Sequence, residues 1–294
     1  MTRDALRAVL AGTLFVASTA GPASAQSAAD WYEVTSRRQT DGVEALTADI
    51  EYGMGKLVVR PAGEGLLYDL KLRYDGRRFD PVREWSQAEG AGHFAVRLMG
   101  DNSNIDLEDL DDENGADGGS LSIGVSRVVP TALTVGVMAA EVDMRLGGTA
   151  LQSFSYRTAA SETVIDFDLP NTVRMDRLEL SAGAADFRAK RLGNARFDVL
   201  KFNGAVGDVR LDFTGEWQGS ATGEILMGLG SLKLVFPRGI GVRIEKRGFL
   251  ASFDSAGLDR VEDGYQTRNW ETAPVRLTLT VRAGFGDIDV DFED

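Results

Sequence analysis

The stretch LTLTVRAGFGDIDVDF, Leu277–Phe292, carries the pattern from which the fold is predicted. Apolar and polar residues alternate along its first half, as in a β-strand with one buried face. The predicted inward residues of this half are Leu277, Leu279, Val281, Ala283 and Phe285. The next apolar residue is Ile288, three positions after Phe285 instead of two. Such a slip moves later side chains to the other face unless the backbone bends, so we predict a bend at Gly286-Asp287.

The same slip recurs at five other places, each with a small residue and then a polar one in the gap. The gaps are Gly55-Lys56, Ala140-Glu141, Ala185-Asp186, Gly207-Asp208 and Gly230-Ser231. The pattern reopens at Val142, Phe187, Val209 and Leu232, with spacings of 45, 22 and 23 residues. Half of the 45-residue spacing from Val142 to Phe187 falls near Val164, which predicts a further copy of the pattern there. A period near 22 with strands on both sides of a bend is typical of a solenoid, whose turns bury their apolar faces by stacking.

The repeats predict an all-β protein in which residues 131–294 form a single-stranded β-helix. Small residues fit the bends because chains stacked about 4.8 Å apart leave little room at a corner. Residues 40–130 are predicted to be an N-terminal β-sheet extension, packed on or continuous with the solenoid, and the spacing from Leu232 to Ile288 predicts one long rung with a polar loop. Outside the N-terminal segment the sequence allows one short helix, near Asp30–Arg38.

The N-terminus is typical of a cleaved secretory signal. Arg3 and Arg7 precede an apolar run from residue 8 to 20, and Ala23-Ser24-Ala25 fits the small-x-small cleavage pattern. We therefore predict a signal peptide at residues 1–25 and a periplasmic or extracellular bacterial protein that is not inserted in a membrane after cleavage. The sequence has no cysteine, so we expect neither a lipid-anchoring cysteine before the cut nor a disulfide framework.

The charge and glycine content narrow the class of protein further. The net charge of −13 argues against nucleic acid or an anionic membrane as a partner, because both need a basic surface. With 34 glycines but only 7 prolines and 43% apolar residues, the sequence favours short strands joined by tight turns over disorder.

Several motifs together resemble those of a known family. These are GMGKL (53–57), LYDLKLRYD (67–75), AGAADF (182–187), GAVGDVRLDF (204–213) and RLTLTVRAGFGDIDVDF (276–292). Over residues 40–294 the chain resembles bacterial toast-rack domain proteins, relatives of the C-terminal domain of LiaF-like, cell-wall-active antibiotic response proteins. The resemblance implies a right-handed β-helix in a cell-envelope protein, with a role in envelope sensing or adhesin-like contacts and no catalytic residues. The chain lacks the membrane helices of LiaF-like members, which argues against a direct membrane sensor.

Stacked bends would bring their polar residues into one column. The members of the column are Lys56, Glu141, Asp186, Asp208, Ser231 and Asp287. Asp186, Asp208 and Asp287 are weak candidates for calcium ligands, since hard cations take oxygen ligands. We favour a structural role, in which each carboxylate accepts N–H bonds at its own turn, because Lys56 and Ser231 interrupt the acidic series.

Two other acidic or glycine-containing stretches fail specific motif tests. Gly284-Phe285-Gly286-Asp287 lacks the third glycine and the following helix of a dinucleotide site. The acidic stretch 101–119 is predicted to be a solvated loop, and Leu110 stands where a calcium-binding loop needs Asp. Weak calcium binding by this loop stays open.

The sequence favours a protein that is not an enzyme. His93 is the only histidine and cysteine is absent, which leaves no histidine-rich zinc site or thiol catalysis. The leading hypothesis is a structural or interaction module of the envelope, without cofactor, whose partner is an envelope protein or a polysaccharide. Open solenoid ends need capping or pairing, which favours self-association. An alternative is a periplasmic carrier of lipid or another apolar ligand near Tyr68 and Tyr74; a carboxylate-dependent polysaccharide-active enzyme is a third.

Overall fold

The computed structural model describes residues 29–99, 119–247, 252–254 and 257–293. Strands make up 71% of these residues, and their one helical element is a 3₁₀ turn at Leu192–Ala195, so the chain is an all-β protein. The predicted signal peptide and residues 101–118 of the acidic stretch lie outside the described residues.

The described strands form one open sheet of sixteen. They are β1 (Trp31–Gln39), β2 (Ala45–Pro61), β3 (Leu66–Asp75), β4 (Val82–Ala88), β5 (Ala91–Leu98), β6 (Ser120–Val125), β7 (Thr131–Arg145), β8 (Leu151–Asp166), β9 (Met175–Lys190), β10 (Phe197–Asp212), β11 (Ala221–Pro237), β12 (Gly241–Lys246), β13 (Ser252–Asp254), β14 (Asp259–Val261), β15 (Gly264–Gln266) and β16 (Arg276–Glu293).

Seven long strands form the middle of the sheet. They run parallel and in register in the order β2-β7-β8-β9-β10-β11-β16. The pairing confirms the repeat that the spacing predicts, including the copy near Val164, where Thr163 lies between Val142 and Phe187. Because β2 pairs with β7, the sheet continues across residue 130 without a break.

Each long strand has two arms joined by a bend. In β9 the first arm buries Leu178, Leu180 and Ala182, and the second arm buries Phe187 and Ala189. The step from Ala182 to Phe187 is five residues, so both arms direct their apolar side chains into the same core although the alternation has slipped. Phenyl rings of neighbouring rungs pack together in this core, as with Phe187 and Phe202, whose centroids lie 5.3 Å apart with the rings tilted by 57°.

At the opposite bend of the rungs, two of the connections between consecutive long strands, β8 to β9 and β9 to β10, hold a buried asparagine. The amide of Asn171 accepts a hydrogen bond from the Leu151 N–H at 2.9 Å and donates to the carbonyls of Leu151 at 2.7 Å and Val173 at 2.8 Å. Asn194 donates to the Phe167 carbonyl at 2.8 Å. We call this bend the asparagine corner, and the bend within each long strand the glycine corner.

The C-terminal end of the stack does not follow the order of the sequence. The copy at Leu277–Phe292 is the last of the six in the sequence, but β16 lies inside the sheet, with β11 on one side and β12 and β13 on the other. The chain leaves the stack after β11, forms the end rung with β12 and β13, and returns as β16 between them. The β14–β15 hairpin then pairs with β12 and covers that arm.

The N-terminal end is built in the same way. β5 and β6 follow β2 in sequence yet pair with its first and second arms on the side away from β7. β4 covers β5, β3 covers β6 and β1 covers β3, all antiparallel. The short helix allowed near Asp30–Arg38 is wrong: this segment is β1, because it pairs along its whole length with β3 and packs Val34 against the core.

Candidate interaction surface

The glycine corner has four residues, which in β16 are Gly284, Phe285, Gly286 and Asp287. Its third position needs a small residue. At this position Gly55, Gly207, Gly230 and Gly286 have φ of 108°, 136°, 129° and 127°, a conformation that L side chains rarely adopt. A methyl group on Gly230 would overlap the Gly207 carbonyl oxygen, and one on Gly286 the Gly230 carbonyl oxygen. The predicted requirement for small residues at the bend is confirmed here, and the reason is the carbonyl of the rung below.

The second position of the glycine corner points outward, which corrects the predicted phase. Phe285, assigned to the core by the alternation, is 58% exposed, and its equivalents Leu229 and Val206 are 51% and 50% exposed. Ala184 is also exposed, and Met54 and Ala139 are half-buried. The first arm stops burying side chains one alternation earlier than predicted, because the chain begins to bend after Ala283 and not after Phe285.

The three large exposed residues form a continuous row. Val206 pairs with Leu229, and Leu229 with Phe285, so neighbours lie one strand spacing apart, about 4.8 Å. Leu226, 46% exposed, lies three residues before Leu229 on β11. We call Val206, Leu229 and Phe285 the apolar ridge. Single exposed apolar residues are normal on protein surfaces, whereas contiguous apolar patches of several hundred Å² are typical of interaction sites, so the ridge is the candidate interaction surface.

A polar column runs beside the apolar ridge, two residues further along each strand, as the stacked bends predict. Its members are Lys56, Glu141, Glu162, Asp186, Asp208, Ser231 and Asp287. Its two non-acidic predicted members bond to acidic neighbours: Lys56 Nζ lies 2.7 Å from Glu141 Oε1, and Ser231 donates to Asp208 Oδ1 at 2.5 Å. Ser252 donates to Asp287. The ion pair with Glu141 raises the pKa of Lys56.

The calcium prediction for Asp186, Asp208 and Asp287 stays a prediction. The three carboxylates lie in the same column on strands β9, β10 and β16, but β11 separates Asp208 from Asp287. Within the part of the chain that the structure describes, no three His, Cys, Asp or Glu side chains converge as metal ligands.

A hydroxyl network lies at the inner side of the glycine corner in β8. The Tyr156 hydroxyl lies 2.8 Å from Thr163 Oγ1 and 3.3 Å from Ser161 Oγ, and Thr158 Oγ1 lies 2.8 Å from Ser161 Oγ. Burial raises the pKa of Tyr156, so the phenol is neutral at physiological pH and serves as a hydrogen-bond partner. Ser161 thus uses the small third position of the corner to satisfy buried polar groups.

The outward face of the second arm differs from the ridge because its charges are paired. Lys233 Nζ lies 2.6 Å from Asp291, Arg210 lies 3.2 Å from Glu293 and Arg188 lies 3.4 Å from Glu162. Exposed pairs of this kind contribute about 0–1 kcal/mol each. These exposed charges pair with one another, so the glycine corner is the more distinctive surface.

His93 lies on β5 and pairs with Asp49 at 3.0 Å, and both side chains are partly exposed. Ser86 on β4 lies opposite His93 in the antiparallel pair, which places Ser, His and Asp on adjacent strands. Among the described residues, however, no hydrogen bond joins Ser86 to His93, so the nucleophile–base contact that defines a catalytic triad is not formed.

The aromatic residues proposed for an apolar carrier are used in packing. Tyr68 is 5% exposed and stacks on Phe94 with centroids 4.0 Å apart. Tyr74 stacks on Tyr32 at 5.7 Å. The two tyrosines therefore do not line a common space, and the geometry gives the carrier hypothesis no support.

The residues of the apolar ridge were missed as surface residues by sequence reasoning. Five residues separate the last inward side chain of the first arm from the first inward side chain of the second arm. The one-residue slip in this step can be placed at either of two positions. Alternation alone places it after the last apolar residue of the first arm. The available signal was the flanking glycines in Gly-Leu-Gly and Gly-Phe-Gly, since glycine inside a strand pattern often marks a bend or bulge where regular alternation ends.

The family comparison agrees with this fold. Residues 25–169 match Toast_rack_N, the N-terminal domain of toast_rack, DUF2154. The match is consistent with a toast-rack domain protein, and over these residues it confirms the resemblance of the motifs GMGKL and LYDLKLRYD. No curated protein matches the sequence.

Solved structures with distant similarity include two bacterial proteins. A putative cell adhesion protein from Clostridium sporogenes is 15% identical, with 90% of this chain and 100% of that chain covered and a TM-score of 0.49. A putative adhesin from Bacteroides fragilis is 12% identical, with 88% and 97% covered and a TM-score of 0.35. Neither similarity carries information about the function of this chain. Within its described residues, no helix is long and apolar enough to cross a membrane.

Proposed function

We propose that this protein is a non-enzymatic interaction module of the bacterial cell envelope, periplasmic or secreted, that contacts a partner through the apolar ridge. The observation that carries the proposal is the in-register row of Val206, Leu229 and Phe285, each half exposed or more at the corner of a folded sheet. The signal-like N-terminus and the toast-rack family support an envelope location.

The chemistry of the corner is suited to binding. Fully burying a Leu or Phe side chain stabilises a contact by about 1.5–3 kcal/mol, and buried aromatic side chains often dominate interface energies. Gly228 and Gly284 beside the ridge are exposed and have no side chain that would shield the ridge residues. The adjacent Asp208 and Asp287 favour a partner with cationic groups next to its apolar ones.

We further propose that the stacked rungs form a right-handed β-helix. The support is general: parallel strands joined by a crossover in one sheet are right-handed in about 98% of cases. Parallel neighbours among the seven long strands provide this kind of connection repeatedly. A crystal structure of the chain tests the hand directly.

A binding experiment with a matched control tests the interaction function. The purified chain is titrated onto washed envelopes of the source bacterium, and the bound fraction is measured. We expect Leu229→Ser with Phe285→Ser to weaken binding at least about tenfold. The control, Val128→Ser with Leu169→Ser, removes apolar side chains that are 68% and 54% exposed elsewhere and should bind like the wild type.

Equal binding by the ridge variant and the control would remove the ridge from the proposed function. The enzyme alternative is tested separately with a panel of polysaccharides. Hydrolysis that disappears on replacing specific carboxylates would replace the interaction module with an enzyme.

A further inference from the structure

The free edge of β1 has features of an interface. β1 is the first strand of the sheet order and pairs with β3 on one side, while its other side has no partner strand within the described residues. It is nine residues long and mostly exposed. Unpaired edges of this length are templates for another strand, and proteins usually shorten, bend or charge them.

The backbone direction of β1 follows from its pairing. The Gly76 N–H donates to the Asp30 carbonyl at 2.9 Å, and the Thr40 N–H donates to the Gly65 carbonyl at 3.2 Å. Even-numbered residues of β1 therefore direct their N–H and C=O groups to β3. The odd-numbered residues direct these groups to the free edge, and they are Trp31, Glu33, Thr35, Arg37 and Gln39.

A second β1 strand fits this edge when it runs antiparallel with Thr35 opposite Thr35. In that register Glu33 lies opposite Arg37 and Trp31 opposite Gln39, so each outward N–H faces an outward C=O along all nine residues. A register centred elsewhere leaves part of the strand unpaired. The arrangement is two-fold symmetric, which is the commonest symmetry of protein dimers.

The side chains are also self-complementary in this register. Glu33 of each copy lies opposite Arg37 of the other, and opposite charges directly across an antiparallel pair are stabilising. Both are on the exposed face, and Arg37 makes no ion pair within the described residues, while Glu33 lies 3.1 Å from Lys71. On the other face Tyr32 would lie opposite Arg38, which already stacks over Trp85 at 4.0 Å.

The other edge strands lack this complementarity. β4, centred on Trp85, would place Arg83 opposite Gln87 and Glu84 opposite Ser86 in a self-pair, with no opposite charges across the strands. β14 is only three residues long. The pairing pattern therefore singles out β1 among these edges.

We propose that β1 is the interface of a two-fold dimer, in which two copies of this chain join their sheets antiparallel about Thr35. The proposal is independent of the apolar ridge and of its partner, so each can fail without the other. One strand pair buries less than the roughly 1,600 Å² of a standard interface, so the dimer should be weak and concentration-dependent. The net charge of −13 on each copy opposes association at low salt, so the measurement needs about 0.15 M salt.

Sedimentation equilibrium across a concentration series tests the charge pairing. We expect the wild type to approach twice the monomer mass, Glu33→Arg and Arg37→Glu to stay monomeric, and the double variant Glu33→Arg with Arg37→Glu to dimerise again. A wild type that is monomeric up to about 1 mM overturns the proposal. So does a dimer that both single variants retain.

Cysteine cross-linking tests the register, since the chain has no cysteine of its own. Opposite residues in a hydrogen-bonded antiparallel pair have Cα atoms about 5.5 Å apart, within the range that a disulfide spans. Thr35→Cys should therefore form a covalent dimer on oxidation. In the matched control Gln39→Cys, the two cysteines would lie about 27 Å apart and should not cross-link.

Cross-linking of Gln39→Cys, or none of Thr35→Cys in a chain that dimerises, overturns the register. Thr35 and Gln39 are both exposed, and a thermal melt matching the wild type shows that the variants are folded.

Discussion

The asparagine corner and the glycine corner turn the chain in opposite ways. At the asparagine corner, buried amides bond the backbone, as Asn171 does to Leu151 and Val173. At the glycine corner, side chains are absent where rungs touch, and Gly230 and Gly286 let the backbone of one rung lie against the carbonyl of the next.

The difference explains where the protein can offer a surface. The asparagine corner uses its polar groups internally, and Asn171 and Asn194 are at most 5% exposed. Apart from the hydroxyl network of β8, the glycine corner bonds little through its side chains to its own rung, and its second position is left outside with Val206, Leu229 and Phe285. One corner therefore fixes the connection between consecutive long strands, while the other leaves apolar side chains exposed.

The largest expected effect is at the asparagine corner. Asn171→Ala leaves the Leu151 N–H and the carbonyls of Leu151 and Val173 without this partner in a buried site. Each buried unsatisfied group costs about 1–3 kcal/mol, so we expect a loss of roughly 3–5 kcal/mol in the free energy of unfolding. Urea denaturation measures it. The exposed Asn203→Ala is the control, and equal losses in both variants would contradict the role of the amide.

The next effect is at the glycine corner. Gly230→Ala places a methyl group against the Gly207 carbonyl at φ 129° and should cost about 2–3 kcal/mol by the same measurement. The control is Gly239→Ala, where a Cβ meets nothing within 4 Å, and its change should stay within about 0.5 kcal/mol. If Gly230→Ala is as mild as the control, close stacking of carbonyls does not restrict the corner.

A smaller, pH-dependent effect is expected where β8 enters the asparagine corner. Burial raises the pKa of Asp166, although the Arg191 guanidinium, 2.5 Å away, opposes the shift. A folded-state pKa above the unfolded value of 3.8 means that the folded state binds the proton more tightly. Its contribution to stability is therefore full below pH 3.8 and is lost as the pH rises through the folded pKa.

Asp166→Asn isolates this contribution. The stability of the wild type minus that of Asp166→Asn should be larger near pH 3 than near pH 6, as measured by parallel urea titrations. A difference that grows with pH would mean that Arg191 outweighs burial and that the carboxylate stabilises the fold in its charged form.

The smallest effect on stability is expected at the apolar ridge. Leu229→Ser removes a side chain that is 51% exposed, so the free energy of unfolding should change by about 0.5 kcal/mol or less. Leu232→Ser, three residues on and 1% exposed, should cost several times more. Similar losses in thermal melts of both variants would return Leu229 to the core and remove the distinction between the corners.

The repeat could be read from the sequence because its cause is local. Gly207-Asp208 and Gly230-Ser231 mark the bend, and the spacing between copies gives the parallel register that the strands adopt. The outward position of Phe285 could not be predicted from the sequence. The slip within the five-residue step between inward positions can be placed before or after this residue. The asparagine corner was also missed, because Asn171 and Asn194 belong to segments whose alternation has already ended.

The ends of the stack were beyond local patterns for another reason. β5 and β6 follow β2 in sequence but lie on its far side, and β12 and β13 precede β16 but lie beyond it. Alternation predicts a strand but not its neighbours. β1 was allowed as a helix because only its pairing with β3 decides in favour of the strand.

The position of β16 has a consequence for biosynthesis. Its slot lies between β11 on one side and β12 and β13 on the other, and all three of these strands precede it in the sequence and are synthesised before it. Until residue 276 and those after it emerge, the sheet has an open seam with two unpaired edges. The sheet therefore closes only after β16 has been synthesised, although the strands on both sides of its slot are already present.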